Sequence, residues 1–129
     1  MTSELILGEA GARGGYYEVK TSVTAGSTFE VHCGFKPTQI MITQTDNSGA
    51  YANSIWEFLY DEDYSPTICR YIGANTTSST IYKVWVDMTI PPASSTSSAI
   101  TEITNDGFKW HQNVNYNTND FRIIAIRRQ

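Results

Sequence analysis

Long apolar runs are missing from this 129-residue chain. No segment approaches the roughly 20 residues that a membrane-spanning helix needs, so no membrane partner is expected. Cysteine is scarce, with Cys33 and Cys69 alone. No secretory segment is visible at the N-terminus. The chain is therefore expected to be made in a cytoplasm, where both cysteines stay as thiols. Charged residues reach only 17%, below the usual quarter, which leaves hydroxyls and amides to cover the surface. The net charge is −4 and the only basic cluster is Arg127-Arg128. That balance excludes nucleic acid as an expected partner, because phosphate binding needs a basic patch. Leucine and alanine are sparse, and no convincing amphipathic helix competes anywhere.

What is present in their place is serine, threonine and asparagine, 12, 16 and 8 residues respectively. This mix disfavours helices and suits strands joined by polar loops. Residues 1–15 are rich in glycine and are expected to form a flexible or partner-docked arm around Leu5, Ile6 and Leu7. Residues 16–129 are expected to form one domain, and at this length folding hides roughly two-thirds of the unfolded surface.

Period-two alternation marks the strands. Tyr17, Val19, Thr21 and Val23 share one face, with Glu18, Lys20 and Ser22 on the other. Phe29, Val31 and Cys33 point inward, with Glu30 and His32 outward. Ile40–Thr45, Ile55–Tyr60, Thr67–Ile72 and Ile81–Met88 follow, with a polar loop expected from Gly73 to Thr80. Pro91-Pro92 keeps the next stretch out of a central strand. Asn105-Asp106-Gly107 predicts a two-residue hairpin in which Asp-Gly supplies the positive φ angles. It joins Ile100–Thr104 to Phe108–Val114, and Phe121–Arg127 closes the chain. Some eight to nine strands at a spacing of 8–12 residues predict an all-β, antiparallel β-sandwich with a Gly-rich N-terminal arm.

Groups able to do chemistry are thin. His32 and Cys33 are neighbours in a strand and point to opposite faces, which keeps both from one zinc ion. Cys69 with His111 lacks a third orienting group and any signature of a lowered thiol pKa. Asp61-Glu62-Asp63 offers calcium two alternating carboxylates where six to eight oxygens are needed, and reads as a solvated turn. Asn75-Thr76-Thr77 fits a glycosylation sequon and, without a secretory route, reads as a polar loop. No catalytic, cofactor or metal-binding residue is assigned, and no enzymatic activity is expected. The aromatics are the stronger lead, at 12% of the chain. Trp56 and Phe108 are expected in the core. Tyr16, Tyr51, Tyr64 and Tyr116 sit in polar contexts suited to a ligand or a subunit interface.

The order of these features resembles a known group. Gly34-Phe35-Lys36-Pro37 precedes an apolar strand, Tyr60-Asp-Glu-Asp-Tyr64 stands mid-chain, and Thr104-Asn-Asp-Gly-Phe108 forms the hairpin. A last strand ends Ile124-Ala-Ile126. Across about residues 29–126 this resembles the small β-sandwich virion proteins of tailed bacteriophages and of prophages in Gram-positive bacteria. More loosely, it resembles the H-type lectin domain, a trimeric sandwich that binds N-acetylgalactosamine-type sugars. None of that family's sugar-binding residues finds a counterpart here. The resemblance implies a non-enzymatic virion subunit, assembled in the bacterial cytoplasm as a homotrimer in contact with other virion proteins. A capsid decoration or head-fibre protein is the first expectation. A tail-tip or carbohydrate-binding module that meets host-surface glycan is the alternative, favoured by the Asn-rich stretch 113–119.

Overall fold

The structure, a computed structural model, describes residues 14–45, 54–76, 81–93, 98–113 and 118–129. Nine strands run in the order β1 (Gly15–Val23), β2 (Ser27–His32), β3 (Gln39–Gln44), β4 (Ser54–Asp61) and β5 (Ile68–Thr76). They continue as β6 (Ile81–Thr89), β7 (Ala99–Ile103), β8 (Gly107–Gln112) and β9 (Asn119–Arg127). Among the described residues there is no helix. Six strands form one antiparallel sheet in the order β1-β9-β3-β4-β5-β6, and three form the other in the order β2-β8-β7. The protein is thus the all-β antiparallel sandwich that its patterning predicts.

The core lies between the inner faces of the two sheets. Ile40 and Ile42 of β3, Phe58 of β4, and Phe121, Ile123 and Ala125 of β9 face Val31, Ile100, Phe108 and Trp110 from the smaller sheet, all buried. Trp110 is the largest of them. Its ring meets Phe121 edge-on at 4.7 Å between centroids and Phe58 at a tilt at 5.3 Å. Such pairs add about 0.5–1.5 kcal/mol to the burial of their area. Phe35, from the Gly-Phe-Lys-Pro step, is buried as well. Gly34 before it takes φ +89°, a left-handed turn that sends the chain from β2 toward β3.

Three expectations are corrected in detail. Of the loop expected from Gly73 to Thr80, residues 73–76 are strand: β5 continues through them, paired with β6 out to Thr76↔Ile81, while residues 77–80 lie outside the described residues. Glycine is needed at 73 because a Cβ there would lie 1.7 Å from the Trp56 ring. The hairpin at 105–107 forms, but its glycine works differently. Thr104 N–H donates to Gly107 C=O at 2.9 Å, so Asn105-Asp106 is the loop and Gly107 opens β8. Gly107 is not among the glycines of positive φ. It is glycine because a Cβ would lie 1.8 Å from the Val31 carbonyl oxygen on β2. Asn119 leaves the expected Asn-rich surface stretch for β9, where it is fully buried and accepts a hydrogen bond from Gln44 Nε2 at 3.4 Å. Val86 shares the inner face through its register with Tyr71, yet it is 42% exposed. β6 is the far edge of the six-stranded sheet, and three strands are too few to cover six.

Candidate functional site

The outer face of the six-stranded sheet is where the fold leaves reactive and apolar groups together. Pairing register sets its rows. One row runs Glu18, Ile124, Met41, Leu59, Arg70, Asp87 across β1, β9, β3, β4, β5 and β6. The next places Lys20, Arg122, Thr43, Glu57 and Ile72 side by side. Ile124, Ile126, Met41, Leu59 and Ile72 are each only partly exposed, and among the described residues no element lies over them. The solvent face of an antiparallel sheet is ordinarily polar. Here β3, β4 and β9 bring Met41, Leu59, Ile124 and Ile126 to that face.

Beside this stripe a depression of about 380 Å³ is lined by Gln39, Met41, Leu59, Asp61, Tyr64 and Arg70. Its rim is held by two charge-assisted clusters. In the first, the Tyr64 hydroxyl donates to Asp87 Oδ2 at 2.7 Å, and Arg70 Nε donates to Asp87 Oδ1 at 3.0 Å. The Arg70 guanidinium carbon sits 4.3 Å from the Tyr64 ring centroid. The ring is clamped, though 56% of the residue stays exposed. In the second, Arg128 Nη2 reaches Asp61 Oδ1 at 2.8 Å and Asp63 Oδ2 at 3.1 Å. Partial burial alone would raise the Asp61 pKa. The Asp63 amide and the Arg128 guanidinium, which donate to its carboxylate, outweigh that and hold the pKa below the usual value. The alternating carboxylates therefore hold a guanidinium. Among the described residues no group of three or more His, Cys, Asp and Glu gathers in a metal-ligating cluster.

Of the residues singled out from sequence, Tyr16 and Tyr64 are both exposed and both lie at this face. Tyr16 stands on β1 opposite Ile126, where its hydroxyl donates to Glu18 Oε1 at 2.7 Å. That hydrogen bond raises its pKa. Tyr51, Tyr116, Leu5, Ile6 and Leu7 lie outside the described residues. Sequence reasoning missed Met41, Leu59, Ile124, Arg122 and Glu57. The signal was there in Ile40-Met-Ile42, Phe58-Leu-Tyr60 and Ile123-Ile-Ala-Ile126, runs that do not alternate and so are apolar on both sides of the sheet.

The remaining candidates fall apart on geometry. Cys69 is buried in the core, where desolvation pushes its thiol up to about 11. His111 pairs with Thr28 on the other side of the small sheet, its Nδ1 3.3 Å from the threonine hydroxyl. His32 points outward between Asp106 at 2.8 Å and Glu30 at 3.6 Å. The neighbouring Cys33 thiol turns to the Phe35 carbonyl at 3.3 Å.

Compared with known proteins, the chain matches no family model, no curated protein and no solved structure.

Proposed function

We propose that this protein is a non-enzymatic structural subunit of a tailed-phage virion. It would sit on the capsid surface as a decoration or head-fibre protein, after assembly in the host cytoplasm with other virion proteins. The observation that carries the reading is the uncovered apolar face of the six-stranded sheet. Burying Ile124, Met41 and Leu59 against protein stabilises a contact by roughly 25 cal/mol per Å² of apolar area removed from water. Surfaces of this kind mark sites of protein association. The virion assignment is supported by the order of the Gly-Phe-Lys-Pro, Asn-Asp-Gly and terminal Ile-Ala-Ile motifs. Leu5-Ile6-Leu7 is the apolar segment suited to anchoring the subunit on the particle. β1 starts at Gly15, so removal of residues 1–13 spares every described strand. The truncated protein is expected to keep its β circular dichroism and to fail to load onto particles. Normal loading would remove the anchoring role, and absence of the intact protein from purified particles would remove the virion reading.

One observation favours a second reading, a host-glycan binder. Tyr64 is held rigid by Arg70 and Asp87 at the edge of a depression that also presents Gln39 and Asp61. Sugars stack C–H faces on such rings while amides and carboxylates fix their hydroxyls. A glycan array on the purified protein tests this reading. Binding that Tyr64→Ala lowers tenfold or more supports it, and silence at millimolar sensitivity retires it.

A further inference from the structure

We infer that the outer face of the six-stranded sheet is a self-complementary surface on which a second copy of this chain packs face to face, about a two-fold axis running along β3. The inference takes the face that the virion reading assigns to protein contact and commits it to a second copy of this chain. It rests on how the rows are arranged on either side of β3.

Met41 and Thr43 occupy the central strand of the face. On one side β9 carries Ile124 opposite Met41 and Arg122 opposite Thr43. On the other side β4 carries Leu59 opposite Met41 and Glu57 opposite Thr43. One strand further out, β1 places Glu18 beside Ile124 and β5 places Arg70 beside Leu59. Read across β3, Ile124 balances Leu59, and Arg122 and Glu18 are opposite in sign to Glu57 and Arg70; Lys20, balanced by Ile72, is the exception. A two-fold axis along β3 exchanges β9 with β4 and β1 with β5. Met41 then meets the partner's Met41, and Ile124 meets the partner's Leu59. Arg122 meets the partner's Glu57, and Glu18 meets the partner's Arg70. This is what an isologous interface demands, the same patch serving both subunits with these two charge pairs opposed.

Three further facts agree. Among the described residues, Arg122 Nε is enclosed without a hydrogen-bond partner, and the Glu57 carboxylate accepts from the Thr43 hydroxyl at 3.3 Å. Among the described residues neither makes an ion pair within its own chain. Stacked sheets pack about 10 Å apart within roughly 30° of alignment, so these side chains come within reach across the axis. Six strands spaced ~4.8 Å apart over about six residues give a face of ~500 Å² in projection. With side-chain relief this approaches the ~800 Å² per partner of a standard interface. The partner's apolar row would also cover the depression lined by Met41 and Leu59.

The intact purified protein tests the proposal by light scattering after size exclusion. The expected mass at tens of micromolar is twice the 14.4 kDa of the chain. Arg122→Glu and Glu57→Arg should each raise the dimer dissociation constant about tenfold or more, and the double variant should restore it, because opposed charges are re-formed across the axis. Met41→Glu, which sets two carboxylates against each other on the axis, should give a monomer. Circular dichroism and melting temperature close to the parent's establish that each variant is folded. A monomeric parent at about 100 μM, a trimeric mass, or single reversals that leave the dimer intact would each overturn the two-fold packing. So would a glycan that occupies the depression of a monomer.

Discussion

At the scale of single residues, the positions that tolerate least change are glycines set against another chain segment. Gly107 is the sharpest case, because its missing Cβ would overlap the backbone oxygen of Val31, which cannot rotate away. Gly107→Ala is expected to destabilise the protein by about 3 kcal/mol or more, as overpacking does at its upper end, read from the urea midpoint at unchanged slope. Gly26, with φ +83° and open space around it, makes the contrast: conformation alone holds it. The sequence made the 105–107 turn legible and led to the wrong reason for its glycine. Local turn chemistry is visible in three residues, whereas the close approach of β2 to β8 belongs to residues some 75 positions away. The same limit applies to the candidate site. Exposure of Tyr16 and Tyr64 was legible from their polar neighbours. The opposition of Arg122 and Glu57 across Thr43 depends on the registers of three strands far apart in sequence.

At the scale of elements, the end of β9 is tied to the turn after β4. Arg128 Nη2 donates to Asp61 and Asp63, and the Arg128 amide donates to the Thr38 hydroxyl at 2.9 Å. Because the Asp61 pKa is lowered in the folded state, this link contributes fully above the ordinary carboxylate value. It is lost as pH falls through the lowered one. Exposed pairs of this kind are worth about 1 kcal/mol or less, so the effect is local. Protection factors at residues 62–64 and 128–129, that is exchange rates relative to the intrinsic rate at each pH, are expected to fall on acidification while the core amides stay protected, and Arg128→Ala should abolish that pH response. Lower protection in the core over the same range would place the acid-sensitive contact elsewhere. The strands themselves were largely legible, since alternation fixes both their existence and their inner faces. The extension of β5 through Gly73 was not, because its polar composition reads as a loop. Pairing with β6 holds it extended regardless.

At the scale of the whole molecule, the fold is a large sheet only half roofed by a small one, and that mismatch explains what is left exposed. Val86 at one edge follows from six strands facing three, and the apolar rows on the opposite face are exposed because no described element lies over them. Number and alternation of strands pointed to a sandwich, but period-two patterning does not say which strands share a sheet, and so gave no warning of unequal layers. β9 is inserted between β1 and β3, and its pairing with β1 runs from Gly15↔Arg127 to Val23↔Asn119. During synthesis β1 and β3 emerge from the ribosome early and wait, their hydrogen-bonding edges open, until the ninth strand leaves the exit tunnel. A nascent chain stalled before residue 119 would have no way to seal that gap, which makes it a natural client for chaperones that shield unpaired strands.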